Sequence, residues 1–161
     1  MDNKDAGQQA ALPQLPEHIQ KLYDSGDLIG QLRDFFETSG MRDGARRYLM
    51  GREGIQILVS YNPNSLKEPV LQIRNVEGLD DYVTKGDGTI EVIKKPLDQW
   101  EKFIHYITDP GFKEIRNLCS AIVVSGEADR RISRWCEENG WERIRPTEDS
   151  GSIPDNYLFT F

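Results

Sequence analysis

The side chains with the widest chemical repertoire are few. Cys119 and Cys136 are the only cysteines, and His18 and His105 the only histidines, in 161 residues. No pair among them has the short spacing of a zinc site, and neither thiol has an activating base that the sequence identifies. Cys119 falls on an apolar strand pattern and Cys136 on the apolar face of a helix pattern, so both are expected to be buried, reduced thiols. Phosphate loops find no better support. Residues 51–54 (GREG) precede a strand, whereas a phosphate cradle runs from a strand into a helix. Residues 124–127 (VSGE) make that transition but lack repeated glycines, and Glu127 opposes an anion there. Asp80, Asp81 and Asp87 do not alternate as a calcium loop requires, and are expected to decorate a hairpin. The expectation is therefore of no catalytic residue, no metal and no cofactor.

What remains is arginine. Twelve of the 20 basic residues are Arg, whose planar guanidinium suits bidentate contact with carboxylate or phosphate. Arg42, Arg46, Arg47 and Arg52 fall within eleven residues; with Tyr48 and Arg74 they form a candidate surface for an anion or an acidic partner. Strand alternation puts Trp141, Arg143 and Arg145 on one face, a second candidate, against the alternative that Trp141 packs over a helix end. Arg130, Arg131 and Arg134 are expected to be neutralised by Glu127 and Glu138 along one helix. Residues 152–161, in which an acid precedes a terminal Phe, resemble the protein-docking tail of bacterial single-stranded-DNA-binding proteins. Tyr157, Leu158 and Phe159 also fit a strand, and a strand is the expectation.

Charge narrows the partners. The net charge is −7, with residues 1–41 contributing −4 and residues 146–161 contributing −3, so the middle is neutral with 17 acids and 17 bases. A duplex-binding module normally presents a net basic face, and an anionic membrane repels acidic ends. The longest apolar run, Ala121 to Val124, is four residues and excludes a transmembrane helix. Asp2, Lys4 and Asp5 leave no apolar segment for a secretion signal, so a cytoplasmic location is expected.

Periodicity supplies the elements. Residues 1–16 read as a flexible arm and 17–161 as one globular domain. Residues 17–24 and 26–38 form a helical hairpin, the second helix capped by Ser25 and closed by Ser39-Gly40. Strands follow at 46–50, 55–61, 70–76, 82–84 and 89–94, giving an antiparallel meander of three to four strands, with turns at Asn62–Ser65 and Lys85–Gly88. After Pro96 the period becomes helical, with Leu97, Trp100, Phe103, Ile104 and Ile107 on one face and a short helix around Ile115. Residues 119–124, a helix capped by Ser125, and residues 141–145 form a β-α-β unit with parallel strands. The fold class is mixed α/β (α+β).

That order of elements resembles the restriction-endonuclease-like fold: a helix, a three-stranded meander, a helix, and a closing strand with its helix. The family holds Mg²⁺ with an Asp on one strand and an Asp or Glu two residues before a Lys on the next; here the corresponding residues are Gln72-Ile73-Arg74. The resemblance implies a shared framework without its hydrolytic chemistry. Asp43 and Glu53 are the other carboxylates that a metal-dependent hydrolase would need. Residues 121–129 (AIVVSGEAD) also resemble the first strand-turn of a Toprim domain, with Ser125 where that family has a general-acid Glu. The function expected is non-enzymatic binding of a macromolecule, foremost a protein, as an accessory, inhibitor or immunity-type factor. The alternative is a nucleic-acid-associated protein with a degenerate nuclease-like fold that binds phosphate through its arginines.

Overall fold

The computed structural model describes residues 15–62, 68–145 and 155–161. The expected arm thus lies, apart from Leu15 and Pro16, outside the described residues, as do positions 63–65 of the first turn. Helix α1 (Glu17–Asp24) begins after Pro16, and α2 (Leu28–Thr38) begins after Asp27, whose carboxylate accepts the Gly30 N–H at 2.9 Å. The cap is therefore Asp27 rather than Ser25. Gly26 has φ +71°, so the chain reverses there and leaves Ser25 as the last residue of α1's closing turn. Gln31 locks the pair to the sheet. Fully buried, its amide donates to the carbonyls of Leu22 and Met50 (both 2.9 Å), and its Oε1 accepts the Met50 N–H at 2.6 Å.

The sheet has six strands: β1 (Arg46–Met50), β2 (Gln56–Asn62) and β3 (Val70–Glu77), then β6 (Ala121–Val124), β7 (Glu142–Ile144) and β8 (Asn156–Thr160), in the order β1-β2-β3-β6-β8-β7. The first three form the expected meander, and β6 lies parallel to β3. β6 and β7 both run antiparallel to β8 and are thus parallel to each other, as expected of the β-α-β unit, but they are not neighbours. β8 lies between them, which makes the C-terminal segment a strand and not a free tail. β4 (Asp80–Thr84) and β5 (Ile90–Lys94) leave the meander and pair only with each other. Where the chain enters β4, Gly78 has φ +83°, and a Cβ there would collide with the Gly54 carbonyl oxygen.

Helices α3 (Asp98–Thr108), α4 (Lys113–Leu118) and α5 (Arg130–Glu138) complete the chain. The cap of α5 is Asp129, whose Oδ1 accepts from the Arg131 and Ile132 N–H groups, and not Ser125, whose Oγ accepts from Glu127 in the turn before. The buried apolar side chains of the helices share one core with the inward strand residues, among them Ile57, Val59, Ile73, Val76, Ile122 and Val124. The other sheet face carries a small apolar cluster of Val70, Ala121 and Val123, to which no described helix contributes. The result is one helical layer over one face of a sheet.

Candidate functional site

Alternation along β1 divides the first arginine group. Arg47 shares its face with the fully buried Leu49, toward α2. A cation there needs an answer: Arg47 Nη1 meets Asp34 Oδ2 at 2.5 Å, Nη2 donates to Thr38 Oγ1 at 2.8 Å, and the guanidinium lies 5.7 Å from the centre of the Phe35 ring. Arg47 is thus a structural residue and not part of an open binding surface. Arg52 sits at the β1–β2 turn, where the Gln99 side chain binds both its N–H (2.8 Å) and its C=O (3.0 Å). Its side chain lines a cleft of about 260 Å³ with Asp27, Lys102, Phe103 and Tyr106. Arg42 is exposed in the turn before β1. With Arg46 on the opposite face of β1, the cluster at 42–52 is therefore four separate places.

Arg46 and Tyr48 point to the opposite face, and there the structure assembles a site. Arg46 lies across from Ser60, and Ser60 across from Gln72, so one row crosses β1, β2 and β3 over roughly 10 Å. Gln72 Oε1 accepts from Asn62 Nδ2 at 2.5 Å and from Arg74 Nη1 at 3.4 Å. Strand alternation puts Arg74 on the Gln72 face, opposite inward Ile73; the register shift between Leu58 and Val59 then leaves Arg74 unpaired with β2, so that the next inward residue is Val76. Ser60 is only 2% exposed, and its hydroxyl has no hydrogen-bond partner among the described residues. Tyr48, 43% exposed, supplies an aromatic face beside Arg46. Among the described residues the row holds two guanidinium groups, two amides, the Ser60 hydroxyl and the Tyr48 phenol, with no carboxylate.

Such a set can receive an anion but cannot hold a divalent cation, which needs anionic oxygen ligands. Among the described residues no three His, Cys, Asp or Glu side chains are grouped to bind a metal. Asp43 and Glu53 lie beyond opposite ends of β1, too far apart to share an ion.

The second candidate surface is divided: Trp141 packs inward, while the Arg143 and Arg145 side chains stay 58% and 80% exposed. The Trp141 ring packs between Trp135 of α5 (6.2 Å) and Phe159 of β8 (5.3 Å), the helix-packing alternative. Arg143 pairs with Glu137 and with Asp155 (3.6 Å); Arg145 reaches Asp155 at 3.9 Å. The Tyr157 hydroxyl donates to Glu137 at 2.6 Å. That donation, together with Arg143, holds the Glu137 carboxyl below its ordinary value, while burial foremost pushes the Tyr157 hydroxyl up. Arg131 is answered from elsewhere than expected: it faces Asp80 at 3.7 Å and donates to the Lys95 carbonyl at 2.7 Å, tying α5 to the base of the β4–β5 hairpin.

Both cysteines are buried, as expected, and burial pushes each thiol up to about 12. His105 rests against the Trp135 ring at 6.0 Å. Sequence reading missed Ser60 and Asn62, although both alternate with the inward residues of β2 and so stand on the Arg46 face. It also missed Arg33, which joins Glu114 (2.7 Å) and Tyr106 (3.1 Å) across three helices.

No family model matches the chain, and no solved structure matches it. Over 104 residues, 63% of its length, the chain is 30% identical to a protein of Aeromonas salmonicida (strain A449) named "Probable transcriptional regulatory protein". The chain spans 40% of the length of that relative.

Proposed function

We propose that this protein is a non-catalytic regulatory factor that associates with nucleic acid, gripping phosphate through Arg46 and Arg74. The observation that carries the reading is the cross-strand row of Arg46, Ser60 and Gln72, flanked by Asn62, Arg74 and Tyr48. It is rich in donors, free of carboxylates and on the face that no described helix covers. The name of the Aeromonas relative points the same way. So does the order of elements, in which a Gln-x-Arg stands where a nuclease-like fold would hold its metal. An exposed Tyr beside an Arg is suited to stacking on an unpaired base, which favours single-stranded over duplex ligands. A cytoplasmic location accompanies this proposal; no helix among the described residues is long and apolar enough to cross a membrane.

The test is fluorescence anisotropy with short labelled single-stranded DNA, duplex DNA and RNA across a salt series. Two to three phosphate contacts predict a slope of log K against log salt of about −1.5 to −2 for single strands. Arg46→Ala and Arg74→Ala should each reduce its magnitude by roughly 0.7. Binding by neither variant nor wild type at low salt would defeat the proposal, and so would wild-type binding that both variants retain. The protein-binding reading, as an accessory, inhibitor or immunity-type factor, has one observation in its favour: the exposed apolar hairpin β4–β5. It predicts a partner that stays bound after nuclease treatment and at high salt.

A further inference from the structure

Five of the eight exposed large hydrophobic side chains among the described residues lie on the β4–β5 hairpin. Tyr82 is 69% and Ile90 65% exposed, and Val83, Val92 and Ile93 are each more than two-fifths exposed. A two-stranded sheet with both faces wet is marginal by itself, and long apolar edges are templates for further pairing. Its base, however, is firmly tied. The Lys95 N–H bonds the Leu79 carbonyl at 2.8 Å, the Lys95 ammonium meets Asp81 (3.5 Å) and the Glu53 carbonyl, and Asp80 faces Arg131. A hairpin held this way presents a preformed edge.

The hydrogen-bond phase says which groups that edge offers. The Lys85 N–H bonds to Thr89 across the hairpin, and Leu79 accepts from Lys95, so alternate residues 79, 81, 83 and 85 face β5. The backbone groups of Asp80, Tyr82 and Thr84 therefore face outward, and β4 has no second strand neighbour among the described residues. Two copies related by a two-fold axis can join antiparallel along this edge only with the axis at a residue, since residues opposite each other must share a face.

We propose that the protein forms a dimer by antiparallel β4–β4 pairing, with the two-fold axis at Val83. In that register Tyr82 of each copy exchanges two backbone hydrogen bonds with Thr84 of the other, four in all. Val83 faces its own copy, and Asp81 faces Lys85 of the second copy on both sides. Both of these charged side chains are more than half exposed, and each makes only a long contact in its own copy, Asp81 with Lys95 (3.5 Å) and Lys85 with Glu91 (3.8 Å). The neighbouring registers are worse: an axis at Asp81 opposes two like charges, and one at Tyr82 sets Asp81 against Val83. Pairing along β5 with the axis at Val92 sets Glu91 against Ile93 and Ile90 against Lys94. An axis at Ile93 would set Glu91 against Lys95, but that Lys95 ammonium is only 14% exposed and is held by Asp81 and the Glu53 carbonyl, so charge complementarity favours β4 with the axis at Val83. The joined sheet has four strands and brings the two Tyr82, Ile90 and Val92 surfaces together.

The test uses the full chain. Sedimentation across a concentration series should show a reversible dimer. Lys85→Glu should weaken it about tenfold, and Asp81→Lys combined with Lys85→Glu should restore it to near the wild-type value. Val83→Cys should form a disulfide-linked dimer under mild oxidation, since facing positions in a non-hydrogen-bonded pair suit a disulfide and both native thiols are buried. Ile93→Cys on the other strand should link far more slowly. A wild type that stays monomeric throughout, or a double variant no tighter than Lys85→Glu alone, would overturn the proposal. Equal cross-linking at 83 and 93 would overturn the register.

Discussion

Ser60 stands in the middle of the row between Arg46 and Gln72 with an unpartnered hydroxyl. A buried polar group in that state costs about 1–3 kcal/mol, which a bound anion would offset by accepting its proton. Ser60→Ala is accordingly expected to raise the stability of the free protein by about 1 kcal/mol in urea unfolding while weakening oligonucleotide binding. A variant that is neither more stable nor weaker in binding would remove Ser60 from the site. The thiols of Cys119 and Cys136, both pushed up to about 12 by burial, give a second expectation at this scale. They should ignore an aromatic disulfide reagent in the native state at pH 8 and react only at the rate of unfolding. Prompt labelling of either would show that its strand or helix opens locally.

Two elements depend on single polar residues. Gln31 saturates Leu22 and both backbone groups of Met50, so it joins α1 and α2 to β1 where no apolar side chain can substitute. Gln31→Leu would strand the Met50 N–H and carbonyl, while the Leu22 carbonyl keeps the Asp27 N–H, and should cost about 2–4 kcal/mol, read as a fall in the urea midpoint with an unchanged slope. At the other end of the sheet, Glu137 links α5 to β7 and β8 through Arg143 and Tyr157. Its carboxyl is held below the ordinary 4.5, so ionisation favours the folded state. That contribution is fully present above the unfolded value and is lost as pH falls through the lower folded value. Glu137→Gln should therefore flatten the acid limb of the stability curve below about pH 4.5 and leave its dependence near pH 7 unchanged. An unaltered acid limb would mean that other carboxylates govern acid unfolding.

The molecule as a whole opposes the contact proposed for it. A net charge of −7 repels a polyanion at long range, while Arg46 and Arg74 attract at short range. Salt should then act differently on the two rates: association with an oligonucleotide should stay level or quicken as salt screens the repulsion, and dissociation should accelerate. Association that slows steeply with salt would reveal a basic face larger than this row. Much of the fold could be read from the chain. The apolar faces of α2 and α3, the alternation of β2 and β3 and the buried run of β6 are local patterns, because helix and strand periodicity is written into neighbouring residues. Even the inward turn of Arg47 follows from its sharing a face with Leu49. The misassigned caps turned on Gly26 and Asp129, whose backbone geometry moved each helix start past the expected serine. Three features needed distant parts of the chain to meet. They are the insertion of β8 between β6 and β7, the register shift in β3 that leaves Arg74 without a partner on β2, and the row that joins Arg46, Ser60 and Gln72. Strand order and register arise from pairing between segments far apart in sequence, and no neighbouring residue carries that information.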